Sequence, residues 1–398
     1  MTKAEKKGFR TVPETDMEDY KQKLREHRLK VFRRTTITIL TLVLLLAGLG
    51  LYMSLRQYED FDVRTSAERA DTPATVFEEF CGNILKYSND GAFYTDHNNE
   101  MIWNQTYEMS YPTIDICEGY LVIYDKTGTQ IYILTVNGLV GKIETTMPIQ
   151  QVSVANQGTV AVLMDNHSTG QLALYDKAGT ELANGAIHGE KGGYPIAIAL
   201  SNDAIKLAVS MLDINDGNVK TTVAFYNFGS VGENEIDHIV AANSFADAVI
   251  PELDFVSSDC LVAFGDSEIA IFEGTQKPKL VTEIPFSQEI KSVFHNEKYV
   301  GIVYNNMENA ELQRVTLYDL KGVAVVEKDF DLEYTNVELM SNNEICVYNA
   351  TSCDLYTVRG IHKFHYDFET ELYKVLPGNS GLNYTFILND ATEQVRLK

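Results

Sequence analysis

The region after residue 75 consists of short runs in which apolar and polar residues alternate. Four to seven alternating apolar positions recur there, separated by Gly, Asn and Asp, as in "VSVANQGTVAVLMD" and "LVAFGDSEIAIFEG". A period of two is typical of half-buried β-strands, and Gly, Asn and Asp favour the tight turns between them. Residues 75–398 are therefore predicted to form one all-β domain.

These strands recur with a regular spacing. Each unit has an aromatic or apolar residue, here called a landmark residue, in a strand that runs into a polar turn. The seven landmark residues are Tyr94, Leu134, Tyr175, Tyr226, Phe272, Tyr318 and Tyr356, and they lie 38 to 51 residues apart. Four short strands in roughly 40–50 residues is the period of a β-propeller blade. The landmark residues therefore predict a β-propeller of seven blades.

The C-terminal stretches "NYTFILN" and "EQVRLK" follow the last landmark unit. Propellers commonly hide their sheet edges by pairing strands from both termini in one blade. If these two strands instead build a blade of their own, the propeller has eight blades. We favour seven blades and keep eight as the alternative.

The motif Tyr-Asp-Lys-x-Gly-Thr occurs twice, starting at Tyr124 and at Tyr175. Aligning Tyr175 with Leu134 rather than with Tyr124 gives a spacing of 41 residues, which fits the repeat. The first copy is then predicted to turn between the second and third strands of its blade, and the second copy between the third and fourth. We interpret both copies as turn chemistry, because Asp and Gly favour tight turns.

Before the β-region, the 21 residues Thr35–Leu55 contain no charged side chain. At ~1.5 Å per helical residue they reach about 30 Å, the thickness of one hydrocarbon core. The run is long for a secretory signal peptide, 34 residues precede it, and no A-x-A-like cleavage site follows. We predict an uncleaved transmembrane anchor at 35–55, continuous with a helix before it.

Charged residues around this run predict its orientation. The 15 preceding positions contain seven basic residues: Lys21, Lys23, Arg25, Arg28, Lys30, Arg33 and Arg34. The 15 following positions contain three, so the positive-inside rule places the N-terminus in the cytoplasm and the basic residues at anionic lipid headgroups. The predicted order is a cytoplasmic basic tail and helix (1–34), the span, an extracytoplasmic tether (56–74) and the propeller (75–398). The protein is thus predicted to be a single-pass protein of the cell membrane with an extracellular C-terminal domain.

The net charge of the C-terminal region limits the classes of partner that it can bind. Residues 1–35 contain 11 Lys and Arg against 6 Asp and Glu, whereas the remainder contains 22 against 50. So acidic a region repels nucleic acid, and no nucleic-acid partner is predicted. The simplest interpretation of the charge is solubility, and the more specific one is attraction of cations or basic partners.

The five cysteines, at positions 81, 117, 260, 346 and 353, show neither a CxxC pair nor a metal-like spacing. Cys346 and Cys353 flank a predicted turn in "CVYNATSC" and would face each other across a hairpin. They are a candidate disulfide. Buried free thiols are the alternative.

Two stretches contain residue types that bind metal ions. His362 and His365 in "HKFH" would point to opposite faces of a strand, so they are not expected to hold one ion. Asp213, Asn215 and Asp216 in "DINDGN" resemble a calcium loop, but the Gly and the final Glu of an EF-hand are not at their positions. We interpret this stretch as a hairpin turn and keep an irregular calcium site as a minor candidate.

No motif for catalysis or cofactor binding is recognised. The Gly-rich "HGEKGGYP" lacks P-loop spacing, and no G-x-S-x-G elbow is present. With one Trp, Trp103, the chain does not repeat the tryptophan motif of quinone-dependent propeller dehydrogenases, and the sialidase repeat is missing as well. We predict no catalytic residue and no cofactor, and lean towards a protein that is not an enzyme.

The segments "NEMIWNQTYEMSYP" and "GLVGKIETTMPIQQVSVANQGTVAVL" resemble a bacterial family of unknown function. Its members are single-pass membrane proteins with an extracytoplasmic propeller-like domain. The resemblance covers most of the chain after residue 55 and implies location and fold. It supplies no catalytic residues, so none are carried over.

Together these observations predict a membrane-tethered propeller that binds a protein or cell-envelope ligand through its rigid ring of loops. One alternative is an extracellular glycoside hydrolase or lyase with acidic residues in the propeller channel. Two carboxylates about 5–10 Å apart would favour that enzyme, and small apolar lining residues would favour the platform. The other alternative is a sensor that signals through the N-terminal helix.

Overall fold

The structure is a computed structural model. It describes residues 14–166, 169–188, 192–215, 217–286, 288–309 and 312–398. The chain separates into two compact units, of which the first ends at Arg56 and the second spans Gln57–Lys398. The first unit is the helix α1 (Glu14–Leu55), and the second is built of strands with two short 3-10 helices, Gly232–Asn234 and Ile236–His238.

The helix α1 is 42 residues long and contains both the basic stretch and the uncharged run. An apolar stretch of 18 residues within Met17–Gly50 has a mean hydropathy of 1.6, and none of it is buried. A single continuous helix over these residues was predicted and is confirmed. By length and composition, α1 is a candidate for a membrane anchor or a signal sequence. The seven basic residues predicted to face a membrane surface are exposed on this helix.

The second unit contains 32 strands in the described residues. The strands of the first half are β1 (Phe61–Glu68), β2 (Val76–Phe80), β3 (Asn83–Ser88), β4 (Gly91–Thr95), β5 (Met101–Thr106), β6 (Pro112–Cys117), β7 (Tyr120–Asp125), β8 (Gln130–Thr135), β9 (Gly138–Glu144), β10 (Ile149–Val154), β11 (Val160–Asn166), β12 (Thr169–Tyr175), β13 (Glu181–His188), β14 (Tyr194–Leu200), β15 (Lys206–Asn215) and β16 (Asn218–Asn227). Those of the second half are β17 (Ile239–Ala246), β18 (Glu252–Ser257), β19 (Cys260–Phe264), β20 (Glu268–Glu273), β21 (Lys279–Pro285), β22 (Ile290–His295), β23 (Tyr299–Asn305), β24 (Gln313–Asp319), β25 (Ala324–Phe330), β26 (Asn336–Leu339), β27 (Glu344–Tyr348), β28 (Ser352–Thr357), β29 (His362–Asp367), β30 (Leu372–Pro377), β31 (Asn383–Leu388) and β32 (Ala391–Leu397).

The strands form eight antiparallel sheets of four strands each, which are the blades of a propeller. Blade 1 is β2–β5, and each following group of four strands adds one blade up to blade 7, β26–β29. Blade 8 consists of β30, β31 and β32, with β1 as its outer strand. First strands of several neighbouring blades contact one another, for example β6 with β10 and β14 with β18, and contact between β2 and β30 closes the ring. The all-β propeller is confirmed, but the favoured count of seven blades is wrong and the alternative of eight is correct.

Blade 8 also corrects the predicted tether at 56–74. Residues 61–68 of that range form β1, which pairs with β32 from Phe61 opposite Leu397 to Glu68 opposite Ala391. The strand was missed because "FDVRTSAE" is polar and mostly exposed, with no clear apolar alternation. The general expectation that strands from both termini share one blade is confirmed, and it protects the sheet edge.

Every landmark residue lies in the third strand of its blade, at a β-bulge. The register between the third and fourth strands shifts at the landmark residue in each of blades 1–7, for example between Leu174 and Tyr175 and between Ile271 and Phe272. Blade 8 has the same shift at Val395. The landmark residues thus mark a repeated bulge, which bends the outer strand and increases its twist.

The two copies of the Tyr-Asp-Lys motif occupy the predicted turns. Asp125 is the last residue of the second strand of blade 2, and its Oδ1 accepts hydrogen bonds from the backbone N–H groups of Ser110 and Tyr111. Asp176 follows the third strand of blade 3, and its Oδ1 accepts from its own turn, at Ala178 and Thr180. The motif is therefore turn chemistry used in two different hairpins.

The apolar core lies between adjacent blades. Phe225 of blade 4 and Phe272 of blade 5 are fully buried, with ring centroids 5.1 Å apart in an edge-to-face arrangement. Each buried Phe contributes about 2–3 kcal/mol through removal of apolar surface from water. Packing of each blade against the next in this way holds the first strands in a ring, where they line a central cavity.

Candidate functional site

A cavity of about 510 Å³ lies among the first strands of the blades and the turns that follow them. Its lining includes the carboxylates Glu79, Asp115, Glu118, Asp254 and Glu297, together with His295 and Cys117. Among the described residues that line it, Lys298 is the single Lys or Arg. The lining is mixed, because apolar residues such as Ile116, Leu200 and Phe255 lie between the charged ones, so it is not the wholly small and apolar lining expected for a binding platform. The cavity also contains the acidic residues expected for the alternative, a glycoside hydrolase or lyase.

Asp115, on the first strand of blade 2, is held by a backbone hydrogen bond from the neighbouring blade. Its Oδ2 accepts a hydrogen bond of 2.6 Å from the backbone N–H of Val154 in blade 3. Burial between the blades raises the pKa of Asp115 to about 7, and the charge of Asp254 adds to the rise. The Val154 N–H opposes this rise but does not cancel it. The carboxyl of Asp115 therefore keeps its proton to a higher pH than an exposed carboxyl does.

Asp254, on the first strand of blade 5, lies beside His295 of blade 6. Its Oδ2 is 3.5 Å from His295 Nδ1, and Glu252 Oε1 is 3.9 Å from His295 Nε2. The Asp254 side chain is 43% exposed and faces the cavity. Partial burial of its carboxyl among the first strands raises its pKa to about 6. Burial lowers the pKa of His295, against the opposing effect of Glu252. The imidazole is thus biased towards its neutral form and offsets little of the negative charge.

The mouth of the cavity is formed by turns between first and second strands, which carry Glu118 and Glu297. The equivalent turn of blade 8 includes Leu382, whose carbonyl accepts a hydrogen bond from the N–H of Leu397 at the end of β32. Phe61, at the start of β1, pairs with Leu397. The cavity therefore opens on the face of the propeller at which β1 begins.

Chemically, this arrangement places several carboxylates with few neutralising cations around a water-accessible space. Such a site can bind a cationic group, because carboxylates that share a confined space attract positive charge and repel negative charge. It can also hold or release a proton near neutral pH, which is what a general acid or base must do. Sequence patterns missed these residues because they come from different blades and form no local motif.

The calcium candidate lies in the hairpin between β15 and β16. Asn215 donates a hydrogen bond to Asp213 Oδ1, and Lys220 Nζ lies 3.7 Å from Asp213 Oδ2. Asp216 lies outside the described residues. The hairpin turn is confirmed, with Asn215 paired to Asn218, whereas calcium binding remains a prediction.

Cys346 and Cys353 are buried free thiols, with their sulfur atoms 3.8 Å apart. They lie in the neighbouring strands β27 and β28, but Cys353 pairs with Tyr348 and Cys346 with Leu355. The two cysteines are therefore diagonal rather than directly opposite. The two sulfur atoms are close but not bonded in this structure, and the disulfide remains a prediction.

His362 and His365 point to the same face of blade 7, contrary to prediction. His362 Nε2 lies 2.9 Å and His365 Nδ1 lies 2.8 Å from Oδ1 of Asp354 on the neighbouring strand. The reason is the bulge at Tyr356, which leaves Lys363 without a partner across the ladder. One extra residue shifts the alternation, so that positions three apart share a face.

Comparison with protein families assigns the chain to a family but does not indicate an activity. The model of a family of unknown function (DUF5711) matches residues 54–397, and the chain belongs to this family. Comparison with curated proteins finds no match. The resemblance of the sequence to a family of unknown function is thereby confirmed, and the matched residues span the propeller.

Among solved structures, the chain is similar to a eukaryotic initiation factor, with a TM-score of 0.52 and 11% identity over 86% of this chain and 88% of that one. It is also similar to Sqt1 from Chaetomium thermophilum, with a TM-score of 0.50 and 12% identity over 86% of this chain and 97% of that one. At such low identity, the similarity concerns the fold alone.

Proposed function

We propose that this member of the family of unknown function is a membrane-tethered extracytoplasmic propeller that binds a basic segment of a partner protein at its central cavity. The observation that carries the proposal is the lining of the cavity, where five carboxylates face one lysine. The net charge of the region after residue 35, 22 basic against 50 acidic residues, would attract the same class of partner over a longer range.

The size and polarity of the cavity support this proposal. A volume of about 510 Å³ falls within the range of pockets that enclose small ligands or a few side chains. Lys and Arg side chains fit the chemistry, because their charged donors can pair with carboxylates such as Asp115 and Asp254, with which no Lys or Arg of the described residues forms an ion pair. Binding would also relieve the repulsion between Asp115 and Asp254.

The tether is the second part of the proposal. The uncharged run at 35–55 supports a membrane anchor, and the seven basic residues before it support a cytoplasmic N-terminus at anionic lipid headgroups. The propeller would then act outside the cytoplasm as a non-enzymatic binding platform. Its ring of blades suits this role because a rigid scaffold holds loops in fixed positions.

The test is capture of partners from an envelope extract of the source cells by the full-length chain, with crosslinking. The variant Glu118→Gln/Glu297→Gln removes two charges at the mouth of the cavity. The matched control Glu283→Gln/Glu327→Gln removes two exposed charges on outer strands. We expect the wild type and the control to capture the same partner and the mouth variant to lose it. Equal capture by all three proteins would contradict binding at the cavity.

A second candidate, an extracellular glycoside hydrolase or lyase, is favoured by one observation. Asp115 and Asp254 have raised pKa values of about 7 and about 6 inside one cavity. A carboxyl group that keeps its proton near neutral pH is suited to act as a general acid. Turnover of an envelope glycan by the purified chain, abolished in Asp115→Asn, would establish this candidate in place of the platform.

A further inference from the structure

A second cluster of ionisable side chains lies on the outer part of blade 7, apart from the central cavity. It consists of Asp354 on β28 and of His362 and His365 on β29. One ligand atom from each residue lies within 4.8 Å of the others. We propose that these three side chains form a binding site for a divalent transition-metal ion of the zinc class.

The backbone holds the two histidines in this position. The bulge leaves Lys363 without a cross-strand partner, so His365 pairs with Asp354 and His362 with Tyr356 on one face of the sheet. The Lys363 side chain is buried with Glu344 and donates a hydrogen bond of 2.6 Å to the Tyr384 hydroxyl in blade 8. Because this buried contact fixes the bulge, the spacing of the histidines does not depend on flexible side chains alone.

The distances suit a small metal ion after a modest adjustment. With ligands at about 2.0–2.1 Å in tetrahedral geometry, the ligand atoms around zinc lie roughly 3.3 Å apart. The two histidine nitrogens now lie 2.9 Å and 2.8 Å from Asp354 Oδ1, because they hydrogen bond to it. A shift of about half an ångström in each contact would open the space for an ion.

The remaining polar atoms of the cluster already have partners of the kind that orient metal ligands. Asp367 Oδ2 lies 3.7 Å from His365 Nε2, and Ser352 donates a hydrogen bond of 2.6 Å to Asp367 Oδ1. The Gln57 amide lies 3.4 Å from His362 Nδ1, and the Tyr356 hydroxyl lies 3.4 Å from Asp354 Oδ2. Outer partners of this type fix the tautomer and the ring orientation of ligating histidines.

Exposure also fits a metal ion. The Asp354 side chain is 4% exposed, whereas His362 and His365 are 29% and 42% exposed, so water can supply a fourth ligand from the outside. Two imidazoles with one carboxylate suit zinc and its neighbours rather than calcium or magnesium.

The test is titration of the full-length chain in detergent with Zn²⁺, followed by calorimetry, and with Co²⁺, followed by its visible absorption. We expect one Zn²⁺ per chain and a Co²⁺ spectrum typical of nitrogen ligands. His365→Ala and Asp354→Asn should weaken binding by more than the roughly 10–100-fold that loss of an outer partner causes. Asp367→Asn, at an exposed position that the fold tolerates, should weaken it by roughly 10–100-fold.

The control is His27→Ala, which removes an exposed histidine from α1 and should leave the affinity unchanged. If the wild type binds Zn²⁺ no more tightly than His365→Ala, the cluster is a hydrogen-bonded ion pair only, and this result overturns the proposal.

Discussion

The first strands of the blades carry two groups of ionisable residues that differ in how their charges are balanced. At the closure of the ring, Lys374 of blade 8 lies 2.9 Å from Glu78 Oε2 of blade 1 and 2.7 Å from Glu338 Oε2 of blade 7. In the central cavity, no Lys or Arg of the described residues forms an ion pair with Asp115 or Asp254. The closure group contains a lysine that pairs with both of its carboxylates, whereas the cavity group has no such cation.

The pKa shifts of Lys374 and Asp115 reflect the same difference in charge balance. Burial alone would lower the pKa of Lys374, but Glu338 and Glu78 outweigh it and raise that pKa above its usual value. Burial raises the pKa of Asp115, and its negative neighbour Asp254 raises it further. The closure group is therefore stable as it stands, whereas the cavity group retains an unfavourable charge that a cationic ligand can relieve. The contrast separates residues that hold the ring together from residues available to a partner.

The largest expected effect comes from Lys374→Met at the ring closure. It leaves Glu78 and Glu338 without their cation, and breaking a buried pair in this way costs about 3–5 kcal/mol. Thermal unfolding of the full-length chain should show a large decrease in stability. The control Lys220→Met removes an exposed pair, with Lys220 Nζ 3.7 Å from Asp213 Oδ2, and should cost less than about 1 kcal/mol. Equal losses would show that the closure group is not the structural element described here.

A smaller effect, of opposite sign, is expected from Asp115→Asn. The folded-state pKa of about 7 lies above the usual value of 3.8, so this group makes the protein lose stability as pH rises between those values. Relative to the wild type, the variant should gain roughly 1–2 kcal/mol between pH 4 and pH 8, because water in the cavity screens part of the full difference. The measurement is denaturant unfolding across this pH range. Parallel pH profiles of the two proteins would contradict the raised pKa.

The smallest effect is expected from Asp254→Asn. It removes a negative charge near Asp115 and should therefore lower the pKa of Asp115 slightly, without returning it to the usual range, since burial is the larger cause. Carbon-13 NMR titration of the Asp115 carboxyl should show this downward shift. Glu369→Gln, an exposed substitution after β29, should leave the titration unchanged. An upward shift in Asp254→Asn would show that the two carboxyls do not repel each other.

The propeller was predictable because each of blades 1–7 repeats a strand with a landmark residue. Blade 8 could not be predicted in this way. Val395 replaces the aromatic side chain usual at that position and lies 39 residues after Tyr356, so it fits the period but gives little signal. The fourth strand of the same blade lies more than 300 residues away in the sequence, at Phe61–Glu68. Pairing of such distant segments follows from closure of the ring and not from local pattern.

The two candidate sites were hidden for different physical reasons. Asp115, Asp254 and His295 belong to blades 2, 5 and 6, so only the circular arrangement of first strands brings them to one cavity. His362 and His365 are close in sequence but were assigned to opposite faces, because alternation in a regular strand takes no account of a bulge. The landmark residue Tyr356 was a usable signal, since a bulge accompanies the landmark residue in each of blades 1–7.

The most direct test of the central claim is the affinity of the full-length chain for an oligolysine peptide, measured by calorimetry at pH 8 and pH 5. Binding should be tighter at pH 8, where Asp115 and Asp254 are ionised, and weaker at pH 5, where both are largely protonated. The variant Asp115→Asn/Asp254→Asn should bind weakly at both pH values. An affinity that is the same in the wild type and this variant, with the same dependence on pH, would contradict binding at the cavity.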